Sequence, residues 1–433
     1  MNKLSFIATG DSFITRKLPN ENEGFKTLST LIKKADIRLT NLEVTIHNNE
    51  ATPSAQSGGT WAMAPSNVLE DLKKYGFNLV SWANNHTLDY LYDGLECTKK
   101  YLEHYNFVHA GAGMNLAEAD EPKYLETFNG RVALISVCST FKPFNIAGDQ
   151  RRDMKGRPGI NPLRYDTIHT LSSEKILFLK EIANSLKINS VYELGVKQGV
   201  LNPLPQNMCL FSPFLKFKED IEEKIITEPH KKDMERILKR ISEAKRQADY
   251  VIVSMHGHEM KEDDKEQPAD FLKIFAHKCI DGGADAIVGH GPHVLRGIEI
   301  YQNKPIFYSL GDFIFQNDTP SHFPQDFFER YGMGFDDNVA DVLDKRSYNG
   351  LKGLGTVKEA YESVLPFWKV ENGNLVELSL YPIELGFELP RYRSGWPRIT
   401  DNENILKRLK ELSKPFETEI IIENGIGKVL LNK

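Results

Sequence analysis

Gly289-His290-Gly291-Pro292-His293 sets two histidines three residues apart in a turn that glycine and proline make tight. It directly follows an apolar run at 286–288, so both imidazoles can be aimed into one space, an arrangement that suits a divalent cation. A surface turn with incidental histidines is the plain alternative, and it loses ground as other polar motifs are added. His256-Gly257-His258-Glu259 follows a second apolar run. There His256 is the better placed ligand, while the diverging side chains of His258 and Glu259 are expected to face substrate or to support the ligands. A hydrogen-bonded core histidine competes with that reading for His258. In Asn84-Asn85-His86-Thr87-Leu88-Asp89 the Asn85 oxygen can complete a metal sphere, and His86, oriented by Asp89, can protonate a leaving group. Taken alone, that segment also reads as a helix cap. Asp11 and Glu43 complete the set. A single acid after a strand is usually a turn residue, but five such motifs in chain order are not explained by caps.

Carboxylate, amide oxygen and imidazole together suit Mn, Zn, Fe or Mg. The four cysteines are scattered without metal-ligand spacing, so a structural zinc site is not expected. One or two divalent ions would clamp an oxyanion and activate water, which is hydrolytic chemistry.

The elements that must position these residues follow a βαβ rhythm. Short apolar runs at 4–9, 37–42, 79–83, 107–110, 131–138, 250–255, 286–288 and 306–310 read as strands, with helices at 25–34, 68–75, 93–105, 230–247 and 269–281. The polar motifs fall where strands stop, the edge at which open α/β sheets bind ligands. Between about 144 and 225 the rhythm fails. That stretch reads as an inserted lid with one good helix at 173–186. Residues 321–355 read as a loop-rich cover, 364–370 and 375–381 as a hairpin, and 403–411 as a helix. The expected division is a core domain over 1–320 and a C-terminal extension over 321–433 packing on it.

The ordered segments GDSF, NLE, NNHTLDY, GAG, MHGHE, GHGPHVLRGIEIY and YSLGDFIF resemble the CapA family of poly-gamma-glutamate capsule biosynthesis proteins, over about residues 3 to 316. That family's fold is similar to the calcineurin-like metallophosphoesterases. The resemblance implies an α/β, metallo-dependent phosphatase-like sandwich. It further implies one metal on Asp11 and His293, another on Asn85, His256 and His290, Glu43 between them, and His86 as leaving-group acid. Asp11 is not followed by a histidine two positions on, which leaves the first metal short of ligands, and Asp312 is a possible extra ligand. Glu43 stands where phosphoesterases carry aspartate.

The expected substrate is anionic: a phosphoester, or an amide within poly-gamma-glutamate. Arg151, Arg157 and Arg164 in the insertion are candidates to bind its oxyanions in bidentate fashion, with ordinary loop solvation the equal alternative. A non-catalytic polymer-binding or capsule-assembly protein is the rival reading. With 54 Lys and Arg against 60 Asp and Glu, the net charge of -6 argues against a nucleic-acid partner. The first apolar run is too short for a signal segment, and no run of about 18 apolar residues occurs. A cytoplasmic protein away from the membrane is therefore expected. Oligomeric state is not legible.

Overall fold

In the computed structural model, residues 3–20, 22–212 and 215–431 are described. The apolar runs form two mixed sheets packed face to face. One half of the first is four parallel strands, Lys3–Phe13, Ile37–Leu42, Leu79–Ser81 and, at the edge, Val108–Ala110. Gly130–Cys138, Tyr250–His256, Ala286–His290 and Lys304–Phe307 form the parallel centre of the second. Helices Glu23–Ile32, Val68–Tyr75 and Leu91–His104 cover the outer face of the first sheet, and Lys231–Lys245 and Asp270–Asp281 that of the second. This is the α/β sandwich expected of a metallo-dependent phosphatase-like fold.

Period-two alternation sorts the strand residues into layers. Phe6 and Ala8 enter the core between the sheets with Val132 and Leu134, while Ile7, Ala133 and Ile135 turn toward the helices. Strands buried on both faces read as continuous apolar runs, which is why they were visible in the sequence. Trp368 stacks on Phe6 at 5.0 Å in this central layer. Its indole N–H donates to the Tyr250 hydroxyl (3.2 Å), which in turn donates to the Asp285 carbonyl (2.9 Å), so the polar ends of both large rings are satisfied.

Trp368 belongs to the segment expected only to pack on the core. Glu362–Glu371 instead pairs antiparallel with Lys3–Phe13, and Asn374–Glu384 extends the same sheet, so the C-terminal segment is woven into the sandwich. The hairpin and the helix Glu403–Ser413 lie where the sequence placed them. Residues 321–355 hold two helices, Gln325–Arg330 and Val339–Ser347, the second capped reciprocally by Asn338 and Asp341. Phe327, Phe328 and Val342 pack there with Trp61, Met63 and Tyr90.

The insertion contains the expected helix, Ser173–Ser185, with a second one, Ser190–Lys197, and a four-stranded sheet of Met208–Leu210, Lys216–Glu219, Tyr165–Leu171 and Lys224–Pro229. Those strands are short and mix charged with apolar residues, which blurs their period. The insertion docks on the helix Asp270–Asp281, where Tyr165 stacks on Phe271 at 4.2 Å.

One strand boundary differs in a way that builds the site. The strand expected at 306–310 ends at Phe307, and Asp312 opens another, Asp312–Phe315, which crosses to the first sheet and runs parallel beside Lys3–Phe13. Gly311 makes the crossing with φ +73°. Gly10 lies so close beneath it that a β-carbon would stand 1.8 Å from the Gly311 oxygen, the same oxygen that accepts the Asp11 N–H at 3.1 Å. Among the described residues no helix is long and apolar enough to cross a membrane.

Candidate metal centre

The carboxyl ends of the parallel strands of both sheets meet, and the polar motifs meet with them. Asp11 lies in its strand, His256 and His290 each end one, Glu43 immediately follows one, and Asn85 and His86 occupy the turns after Leu79–Ser81. His293 sits in the turn after Gly291, with left-handed backbone at both residues (φ +58° and +116°). All of these side chains are buried.

Asp11 joins the two halves of the site. Its Oδ1 accepts the Asn41 amide (2.6 Å) and its Oδ2 the Gly291 N–H (2.9 Å), while His256 Nδ1 and His290 Nδ1 each stand 3.7 Å from Oδ1. Burial alone would raise its pKa, but His256, His290 and His293 hold it below the usual carboxylate range. His256 places Nε2 2.7 Å from the Asn85 oxygen and 3.6 Å from Glu43 Oε1, with Nδ1 3.3 Å from the Asn41 amide. An Nδ1 that accepts from Asn41 leaves Nε2 as the N–H facing Asn85. His258 Nε2 lies 3.2 Å from His256 Nε2. Burial, then the neighbouring His256 and His293, push the His258 imidazole well below its ordinary pKa.

On the other side His293 Nδ1 meets Asp312 Oδ1 at 2.9 Å, and its Nε2 lies 4.0 Å from Glu43. Burial raises the Asp312 pKa to about 6, with His293 opposing the rise. Burial also drops His290 to about 4. Glu43 stands between the groups, raised well above its ordinary value by burial and then by the charges of Asp11, Asp312 and Asp89.

Single ligand atoms from Glu43, His256 and His258 lie within 4.8 Å of one another, and so do those from Asp11, Glu43, His293 and Asp312. Two donor sets thus share Glu43. Asp312 and His258 enter these sets, and His290 Nδ1 lies beside them at 3.7 Å from Asp11 Oδ1. The chemistry of the buried atoms tests whether a cation fits. Both Glu43 oxygens, both His290 nitrogens and Asp312 Oδ2 are buried without a hydrogen-bond partner. Orphans of that kind ordinarily cost a fold several kcal/mol, and five in one place, all of ligating type, match what a divalent cation takes.

His86 is placed differently. Its Nδ1 is 2.6 Å from Asp89 Oδ2, while Asp89 also accepts the N–H groups of Gly58 and Ala62, each at 2.8 Å. With its oxygens so engaged, Asp89 accepts the hydrogen bond of Nδ1–H, and His86 Nε2 is left toward the cavity, 4.0 Å from Glu43. That cavity, about 420 Å³, is walled by residues including Phe13, Asn85, His86, His258, His293 and Asn317.

The remaining expected substrate contacts are engaged elsewhere. Glu259 accepts the hydroxyls of Ser139 (2.6 Å) and Thr140 (2.9 Å). Arg164 forms a bidentate pair with Asp233, both bonds at 2.8 Å; Arg157 donates to the Ile146 carbonyl and Arg151 to Asp153. Among the described residues, neither Glu259 nor any residue of the insertion lines the cavity. Three residues that do shape the site were not singled out in the sequence. Asn41, two positions before Glu43 and so on the same strand face, was open to detection by period two. Fully buried Arg296 donates to the carbonyls of Lys265, Gly257, His258 and Glu259, stapling the turn that carries His258. Arg346 reaches the cavity wall from the C-terminal cover.

A family profile described as "Bacterial capsule synthesis protein PGA_cap" matches residues 5–317. The chain is 34% identical to the uncharacterized protein y4sH of Sinorhizobium fredii over 99% of this chain and 93% of that protein. It is 26% identical to the PGA biosynthesis protein CapA of Bacillus subtilis over 70% of this chain and 62% of that protein. Among solved structures, a putative 5'-nucleotidase from Staphylococcus aureus in complex with alpha-ketoglutarate aligns with a TM-score of 0.39 and 10% identity, over 94% of this chain and 58% of that one.

Proposed function

The chain belongs to the bacterial capsule synthesis protein family PGA_cap, and from that membership we propose that it is a metal-dependent hydrolase acting on an anionic substrate, an amide of a glutamyl chain or a phosphoester. The observation that carries the proposal is the Glu43 carboxyl, fully buried with both oxygens unpartnered where two donor sets meet beneath a cavity. When bound, one or two divalent ions (Mn, Zn, Fe or Mg) supply Lewis-acid activation of water and of the bond to be cut. The protein contributes the rest. Asp11, Glu43, Asn85, His256, His258, His290, His293 and Asp312 would provide the ligand atoms, and Asn41 and Gly291 lock the Asp11 carboxylate in orientation. Asp89 fixes the ring of His86 and balances a positive charge on it, so that Nε2–H can pass its proton to the leaving atom. Phe13, edge-on to His86 at 5.2 Å, closes the apolar side of that ring against water.

The test is metal analysis of protein purified without chelator, followed by turnover of a generic phosphodiester and of gamma-glutamyl peptides with added Mn or Zn. His256→Ala is expected to lose the ion. His86→Ala is expected to keep it while kcat falls by roughly 10²–10⁴. Finding no divalent ion and no activity restored by either metal sinks the proposal. Polymer that binds without turnover by any form would instead establish a non-catalytic assembly role, a reading favoured by relatives named for biosynthesis and by the mycobacterial relative named a probable polyglutamine synthesis accessory protein.

A further inference from the structure

The cavity above the cluster has an electrostatic asymmetry. Its floor is acidic, with Asp11, Glu43 and Asp312 buried beneath it, yet among the described residues no carboxylate lines its wall. The full charges on that wall are two cations, Lys265 and Arg346. Neither side chain forms an ion pair among the described residues, and Arg346 NH1 is buried without any hydrogen-bond partner, its guanidinium held 5.9 Å over the Phe327 ring. A position in the last turn of the helix Val339–Ser347 suits any cation. It does not account for a guanidinium N–H aimed away from water. Arg346 and Asn317 also border a second cavity of about 490 Å³, so Arg346 stands at the neck between the two. That second cavity carries Asp318 and Asp344 together with Lys352 and with Arg391, which pairs with Asp344 at 2.7 Å, so its charges are mixed where those of the first cavity wall are cationic.

We propose that Arg346 and Lys265 form an anion-binding subsite that takes a carboxylate or phosphate carried by the substrate beside its reacting bond, and that the substrate continues through the neck into the second cavity. The proposal rests on the hydrolase reading above and deepens it by assigning what selects the substrate. Arg346 lies beyond residues 5–317 and Lys265 within them, so the subsite joins the C-terminal segment to the part matched by the family profile. A planar guanidinium matches a carboxylate or phosphate in bidentate fashion, and Lys265 adds a point charge.

The experiment is calorimetric titration of the full chain, in the presence of Mn, with a gamma-glutamyl tetrapeptide, with the same peptide whose α-carboxylates are converted to uncharged amides, and with inorganic phosphate. Wild type, Arg346→Gln, Arg346→Lys and Lys265→Gln are compared. Arg346→Gln is expected to weaken the charged probe roughly ten- to hundredfold, to leave the uncharged amide unchanged, and in turnover to raise KM at constant kcat. Arg346→Lys restores part of the loss. Which probe responds identifies the source of the oxyanion. Lys265 is exposed, so Lys265→Gln keeps the test decisive if Arg346→Gln fails to fold. Unchanged affinity in both Gln variants, or a wild type that binds neither charged probe, overturns the subsite. Binding that depends on Arg346 without turnover upholds it and sinks the hydrolase reading alone.

Discussion

Glu43 is a candidate functional residue recognised by its cost. A carboxyl that is fully buried, flanked by Asp11 and Asp312 and without a donor works against folding unless something compensates it. Replacing it with an apolar side chain of similar length removes the cost and the ligand together. Glu43→Met is therefore expected to stabilise chelator-treated protein by about 1–2 kcal/mol and to abolish the rise in Tm that Mn or Zn produces in the wild type. A lower Tm than wild type under chelation, or a metal-induced rise that survives, contradicts this. The convergence of Asp11, Glu43, Asn85, His256, His290 and His293 was legible because each marks the end of an apolar run, and such ends share one edge of a parallel sheet. What could not be read was which atoms of that crowd approach within ligating range. Loop conformation decides that for His258, which joins Glu43 and His256, while Asp312, anticipated as an extra ligand, stands with Asp11, Glu43 and His293.

At the scale of elements, the same arginine type supports opposite conclusions depending on what stands across from it. Arg164, a candidate for substrate, is held by Asp233 at the start of the helix Lys231–Lys245, and its own backbone N–H donates to the same carboxylate at 2.9 Å. The pair anchors the insertion to the core. Burial pushes the Asp233 pKa up, but Arg164 and Arg236 pull it further down, below its ordinary 3.8. The unfolded chain therefore binds a proton more readily than the folded one. The stabilisation is complete above about pH 4 and is lost as pH falls through the folded-state value. Asp233→Asn is expected to cost roughly 1–3 kcal/mol at pH 7, toward the lower end because the guanidinium is half exposed. Chemical denaturation of the two forms should show that gap closing below pH 4; a gap independent of pH would mean that the charge contributes nothing. The helices Gln325–Arg330 and Val339–Ser347 escaped the sequence reading because each presents only a few apolar residues to one small cluster. Long buried strands announce themselves, whereas short half-exposed elements do not.

For the whole molecule, the apparent boundary near residue 320 was legible as a change of rhythm, yet it does not divide two cores. Antiparallel pairing between strands hundreds of residues apart leaves no local signal, so the role of Glu362–Glu371 as the neighbour of Lys3–Phe13 could not be anticipated. A chain ending at residue 320 loses Trp368 from the central layer and bares one edge of Lys3–Phe13. It is expected to be aggregated or unfolded by size-exclusion chromatography and circular dichroism, and a monomeric, cooperatively melting 1–320 fragment would contradict the description of a single woven sandwich.

The passage of Asp312–Phe315 from one sheet to the other, with Gly291 donating to Asp11 across the gap, means that neither half of the sandwich owns the ligands. Whatever occupies that floor acts as a clasp between them. The binding free energy of the proposed ion would be spent against parting of the halves, so chelation is expected to loosen both sheets together.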